Sequence, residues 1–309
     1  MIKKYIKNKI VVYTLILILL CLFYFVPTGE TFEIEIVNDN KNYDKNVVYL
    51  LDDDNYVSQV ITYFDNSSVI EDIRNKINVL IYGDNNLNNF YSLIPKTTIL
   101  KNVKVDKDNV YLDFNKEILN VNEYMEESMI ESIIYTLTET NGINNIYINV
   151  DGKPLKELPN SKKEIPYPLT RDYGINKKYD LTSFNDIDKT TIFFAKTNEE
   201  FTYYVPVTKI SNTISDKIDI IIEELKSTVN SQDNLNSYIN NNVKLVSKEI
   251  NDEKINLIFN NYIFSDLNNK TILEEVKYII SESIFENYDV KEVSFSSETD
   301  KNTKFIIKK

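Results

Sequence analysis

The sequence predicts an α+β protein: an N-terminal transmembrane helix, then two tandem β-β-α-β-β-α-β domains, each a small sheet packed by two helices. Three observations carry this. Residues 10–26, IVVYTLILILLCLFYFV, contain no charge. The strand-like stretch DNVYLDFN at 108–115 returns as EKINLIFN at 253–260, 145 positions later (253 against 108). The elements around both stretches recur in one order at nearly one spacing.

A helix of about 1.5 Å per residue over 10–26 is near the short limit for crossing a bilayer, and Pro27 and Gly29 end it. Lys3, Lys4, Lys7 and Lys9 precede it without an acid, which places the N-terminus in the cytoplasm. A cleaved signal peptide would want small residues before the cut, and no Ala-x-Ala occurs. A lipoprotein signal would want a small residue before Cys21, where Leu20 stands and the apolar run continues. Residues 1–29 therefore read as a cytoplasmic N-terminus and uncleaved anchor, ahead of a cleaved leader or a lipidated Cys21. The remainder reads as extracytoplasmic. Of 35 basic residues, four lie before the anchor, leaving 31 against 47 acidic, a net −16. That sign repels nucleic acid and anionic lipid.

The first domain is expected over 30–152. VVYLLDDDNYVSQVITYF (47–64) reads as two strands and a polar turn. Ser68-x-x-Glu71 forms a capping box ahead of an apolar stripe at Ile70, Ile73, Ile77, Leu80 and Ile81. ILKNVKVD (99–106) pairs with the strand at 108–115, whose Val110, Leu112 and Phe114 alternate with polar residues. A second helix carries Met129, Ile130, Ile133, Ile134 and Leu137, closed by Gly142, and NIYINV (145–150) ends the unit.

The second domain, 191–309, repeats this. TIFFAKTNEEFTYYVPV (191–207) is the strand pair, and Ile214, Ile218, Ile221, Ile222 and Leu225 are the helix stripe. VKLVSKEIN (243–251) leads into the repeated strand, Thr271-x-x-Glu274 caps a helix burying Leu273, Val276, Ile279 and Ile280, and EVSFSS (292–297) closes it. The offset is 144 from Val47 to Thr191, 145 at the central strand, and 147 from Asn145 to Glu292. Unrelated amphipathic segments would not keep such register. Residues 153–190 link the copies, with Pro154, Pro159, Pro166 and Pro168 making their first half an extended connection. Arg171 and Tyr173 in LTRDYGIN are expected to dock onto a domain.

The chain has no His and one Cys, which excludes Ser-His and Cys-His nucleophiles, histidine-ligated metals and an internal disulfide. No catalytic, cofactor-binding or metal residue is assigned. Asp52-Asp53-Asp54-Asn55 could hold Ca²⁺, but a solvated hairpin turn is favoured, because Lys196 stands in the matching place. Glu126-Glu127, Glu223-Glu224 and Glu274-Glu275 read as solvated helix faces, since neighbours on a helix diverge by about 100°. Asp113 is a possible partner contact, with a turn or cross-strand hydrogen bond as its alternative. Tyr111, Tyr147, Tyr203 and Tyr204 on strands read first as core packing.

Leu80-x-x-Gly83, LIPKTTILKNVKVDKDNVYLDFN, IIYTLTETNGINNIYINVDG and LTRDYGIN together resemble the GerMN domain, the module of sporulation and spore-germination proteins of the GerM type. The second copy departs more, with Ile258 where the first has Asp113 and no TLTE. The resemblance implies a fold similar to ring-building domains and no catalytic residues. It implies a membrane-anchored scaffold in endospore formation or germination, binding sporulation or cell-envelope proteins. A peptidoglycan or cell-wall ligand-binding module is the alternative, marked by an aromatic-lined groove between the domains.

Overall fold

A computed structural model describes residues 44–199, 201–213, 215–227 and 234–309. The expected anchor at 10–26 and Ile214 lie outside the described residues. Among those described, no helix is long and apolar enough to cross a membrane.

In the first repeat, β1 (Asp44–Asp52) and β2 (Val57–Phe64) form a hairpin. Helix α1 (Val69–Tyr82) follows, then the short β3 (Phe90–Tyr91), β4 (Leu100–Asp106), β5 (Asn109–Phe114), α2 (Glu126–Thr138), β6 (Asn145–Val150) and β7 (Lys153–Pro154). β8 (Lys178–Asp180) lies between the repeats. The second repeat runs β9 (Asp188–Thr197), β10 (Thr202–Ser211), α3 (Lys217–Ser227), β11 (Leu245–Asn251), β12 (Lys254–Phe259), α4 (Glu274–Asn287), β13 (Glu292–Ser297) and β14 (Asp300–Lys308).

The repeat extends to irregularities. Sheets β4-β5-β6-β7 and β11-β12-β13-β14 share one topology, with β5 parallel to β6 and β12 parallel to β13. A register shift falls between Leu100 and Asn102 in one, and between Leu245 and Ser247 in the other. The recurring Phe-Asn has a physical reason. Asn115 Oδ1 accepts from the Ile99 N–H (2.9 Å) and Asn260 Oδ1 from the Lys244 N–H (3.1 Å), tying each strand end to the preceding segment. Phe114 and Phe259 are both fully buried.

The two hairpins belong to one six-stranded sheet. Antiparallel β2 and β10 meet at Gln59 and Tyr204, while β8 runs parallel to the end of β10. A helix hydroxyl closes the outer edge of each hairpin: Thr136 Oγ1 accepts from the Tyr49 N–H and Ser283 Oγ from the Phe193 N–H, both at 2.9 Å.

The helix stripes are buried as the spacing requires, with two exceptions. Ile70 is exposed (42 %) and Leu273 nearly as much (40 %), because each lies at a helix start beyond the packed face. Thr271 does not cap α4. Its backbone is held in a bridge with Asp266, so the helix begins at Glu274 without a side-chain cap. Helix α2 ends at Thr138, and Gly142 adopts φ +82° in the turn beyond it. At the first helix, Ser68 caps as expected, but Glu71 accepts from the Ser67 N–H (3.2 Å) rather than reaching Ser68.

The proline-bearing stretch is not a free spacer. Leu155, Leu158, Ile165 and Leu169 are buried, and Leu169 exchanges both backbone hydrogen bonds with Ile146. Four apolar side chains outweigh the extended preference of the prolines.

Candidate functional site: the seam between the repeats

LTRDYGIN crosses the seam. Helical geometry on α2 places Tyr135, Thr138 and Glu139 on one face, and Arg171 lies against it. Its guanidinium carbon sits 4.7 Å from the Tyr135 ring centre, and its Nε donates to Thr138 Oγ1 (2.7 Å). The two remaining nitrogens pair with Glu139 of the first repeat and Glu286 on α4 of the second. Arg171 is thus bonded to carboxylates of both repeats. Beside them Glu282 is pushed up to about 7, first by burial and then by the Glu139 charge.

Gly174 (φ +78°) turns the chain against Thr208, whose side chain would lie 3.1–3.3 Å from any Cβ there. Asn176 then enters between β2 and β10. Its Oδ1 accepts from the Val57 N–H (2.9 Å), and its Nδ2 donates to the carbonyls of Val57 (2.8 Å) and Pro206 (2.7 Å). Its own N–H donates to buried Glu131 (2.9 Å), which also accepts from Lys177 Nζ (2.6 Å). Tyr173 lies under that lysine, 3.8 Å from ring centre to Nζ. Burial, followed by the Glu127 and Glu131 charges, raises its hydroxyl well above the ordinary value.

A second contact between the repeats uses the hairpin turns. Asp52 accepts from the Asp54 and Tyr56 N–H groups (3.0 and 2.9 Å), as a turn aspartate does. It is nevertheless only 2 % exposed and accepts from Lys196 Nζ (2.8 Å), Ser58 Oγ and Tyr203 OH. The solvated reading fails at this residue: the lysine of one repeat neutralises the aspartates of the other. Burial would lower the Lys196 ammonium, but hydrogen bonds to Asp52 and Asp54 outweigh it and raise the group. Among the described residues no acidic or cysteine cluster is arranged to hold a metal.

Of the singled-out residues, Arg171 and Tyr173 fall at the seam. Asp113 does not. Its Oδ1 accepts from the Gly152 N–H (2.8 Å), securing the β6–β7 turn. Glu126 is fully buried rather than solvated, accepting from the N–H groups of Asn160 and Ser161. Tyr111 and Tyr147 stack at 4.5 Å, half-buried on the outer sheet, and Tyr204 stacks on Tyr278 of α4 at 4.0 Å. The sequence assigns no contact to Asn176, Lys196 or Glu286: Asn176 ends the LTRDYGIN motif, Lys196 stands only as the counterpart of the aspartate turn, and Glu286 carries no local signal.

Alongside the seam runs a cleft of about 650 Å³, lined partly by Phe201, Tyr203, Tyr204, Tyr278, Val47 and Leu87. The fold and this seam define a tandem-repeat α+β protein whose copies are joined through their own linker. The family described as Germane: Sporulation and spore germination matches residues 47–156. The spore germination protein GerM of Bacillus subtilis (strain 168) is 35% identical over 215 residues, covering 67% of this chain and 58% of that relative. The chain therefore spans less than two thirds of that relative's length. Among solved structures, the tandem GerMN domains of the sporulation protein GerM from Bacillus subtilis align at a TM-score of 0.76 and 28% identity, covering 84% of this chain and 92% of that one. The chain is a GerM-type protein with two tandem GerMN domains, the second more divergent.

Proposed function

We propose that this chain is a non-enzymatic, membrane-anchored scaffold acting in endospore formation or germination. Its extracytoplasmic domains, 30–152 and 191–309, would bind sporulation or cell-envelope proteins, with residues 10–26 as the single-pass anchor and the N-terminus in the cytoplasm. The observation that carries the reading is the double clasp of Arg171 on Glu139 and Glu286. Together with Asn176 it holds two unlike surfaces in one geometry, which is what presentation to partners requires. The names of the relatives support the sporulation context. Pull-down with the full chain from sporulating cells should yield membrane or spore-assembly proteins. Recovery of none would refute the scaffold.

The aromatic cleft between the repeats favours a second reading, a module that binds peptidoglycan or a related cell-wall ligand. Sedimentation with purified sacculi tests it. Retention on sacculi without any protein partner would reverse the order of the two.

A further inference from the structure

Backbone N–H and C=O groups of alternate residues point to opposite edges of an antiparallel strand. On β1, the Tyr49 N–H donates to Thr136 Oγ1 (2.9 Å) and its carbonyl accepts from Ser132 Oγ (2.6 Å), so Tyr49 faces away from β2. Tyr49 lies opposite Gln59. The backbones of the pair are therefore not mutually hydrogen-bonded, although Gln59 Nε2 donates to Tyr49 OH (3.3 Å), and Val57, Gln59, Ile61 and Tyr63 turn their backbone groups outward. Val57 gives both groups to Asn176, and Gln59 pairs with Tyr204. Ile61 and Tyr63 have no partner on that edge among the described residues. They are 41% and 62% exposed.

The second repeat shows how the same edge is filled. Val60 lies opposite Val48, and Val207 opposite Ile192, so Thr208 and Ile210 match Ile61 and Tyr63. The Thr208 N–H donates to the Ile175 carbonyl (2.8 Å), and β8 continues parallel beside Lys209–Ser211. One repeat thus has an added parallel strand where the other, among the described residues, has an open edge. Exposed sheet edges are ordinarily blunted by Lys or Pro. Here the two outward positions are Ile and Tyr, both good strand formers, beside the aromatic cleft.

We propose that the Ile61–Tyr63 edge binds an extended segment of a partner protein by strand addition. The segment runs parallel to β2, as β8 does to β10, and carries apolar residues at alternate positions that enter the cleft beside Val47, Leu87 and Tyr204. Main-chain hydrogen bonds supply the attachment and the alternate side chains the selectivity. The inference rests on the reading of the chain as a protein-binding scaffold.

Ile61→Pro removes one outward N–H, whereas the ladder to β1 uses Val60 and Thr62. A phage-displayed library of random ten-residue peptides is selected on the full chain. Enriched sequences should carry apolar residues at every second position and bind Ile61→Pro at least tenfold more weakly at an unchanged melting temperature. On the wild type, which needs no folded variant, the selected peptide should slow hydrogen exchange at the Ile61 and Tyr63 amides. Absence of the alternation, unchanged exchange at those amides, or equal binding to a folded Ile61→Pro would overturn the proposal. Retention by Ile61→Pro of every partner the wild type captures would remove the edge and leave the scaffold standing. A wild type that selects alternating peptides yet captures no cellular partner would overturn the scaffold alone.

Discussion

Lys196→Met tests whether charge pairing between the repeats stabilises the molecule. Lys196 is 5 % exposed and Asp52 2 %, so the substitution leaves a buried carboxylate without its cation. Breaking such a pair from one side costs roughly 3–5 kcal/mol. Asp52 keeps the Asp54 and Tyr56 N–H groups, Ser58 Oγ and Tyr203 OH as donors, and Asp54 is solvent-exposed. Those donors place the expected loss just below that range, at about 2–3 kcal/mol. Urea unfolding measures it, and near the transition each kcal/mol should lower the melting temperature by about 2–4 °C in a chain of this size. Asp52→Asn combined with Lys196→Met should recover at least about 1 kcal/mol of coupling in a double-mutant cycle. A loss below about 1 kcal/mol with no coupling would show that the pair contributes little, and the argument from buried charge would be wrong.

Glu282 has its carboxyl raised from 4.5 to about 7, so the folded state holds a proton that the unfolded chain releases. Its contribution is fully present below about pH 4.5 and is lost as the pH rises to about 8, by up to about 3 kcal/mol. Glu282→Gln should flatten that part of the stability-against-pH curve, and an unchanged slope would refute the assignment. Arg171→Ala removes the pairs to Glu139 and Glu286. Small-angle scattering should then show a wider spread between the repeats, and an identical profile would reject the clasp. Gly174→Ala forces a side chain at φ +78° against Thr208. A loss of about 1–2 kcal/mol is expected by urea unfolding, together with faster exchange at the Thr208 amide.

The sequence by itself determined what is local or repeated. Alternation at Val110, Leu112 and Phe114, and again at Ile255, Leu257 and Phe259, specifies half-buried strands through the pleat's period of two. The common offset specifies a duplication, since only a shared ancestral unit keeps helices and strands in step. Helix existence was legible from the apolar stripes, but helix starts were not, because Thr271 could cap or bridge and its neighbours decided. β14 has no clear mark in the sequence, as DKNTKFIIK lacks clean alternation and forms against β13. Arg171, one of two arginines in the chain, could be singled out by its rarity, but its second carboxylate, Glu286, lies 115 positions away, and Lys196 lies 144 from Asp52. A charge carries no mark of its partner in the chain around it. Which acid it meets, and which strand edge stays open, is set when the repeats dock, by the burial of surfaces that no single segment contains.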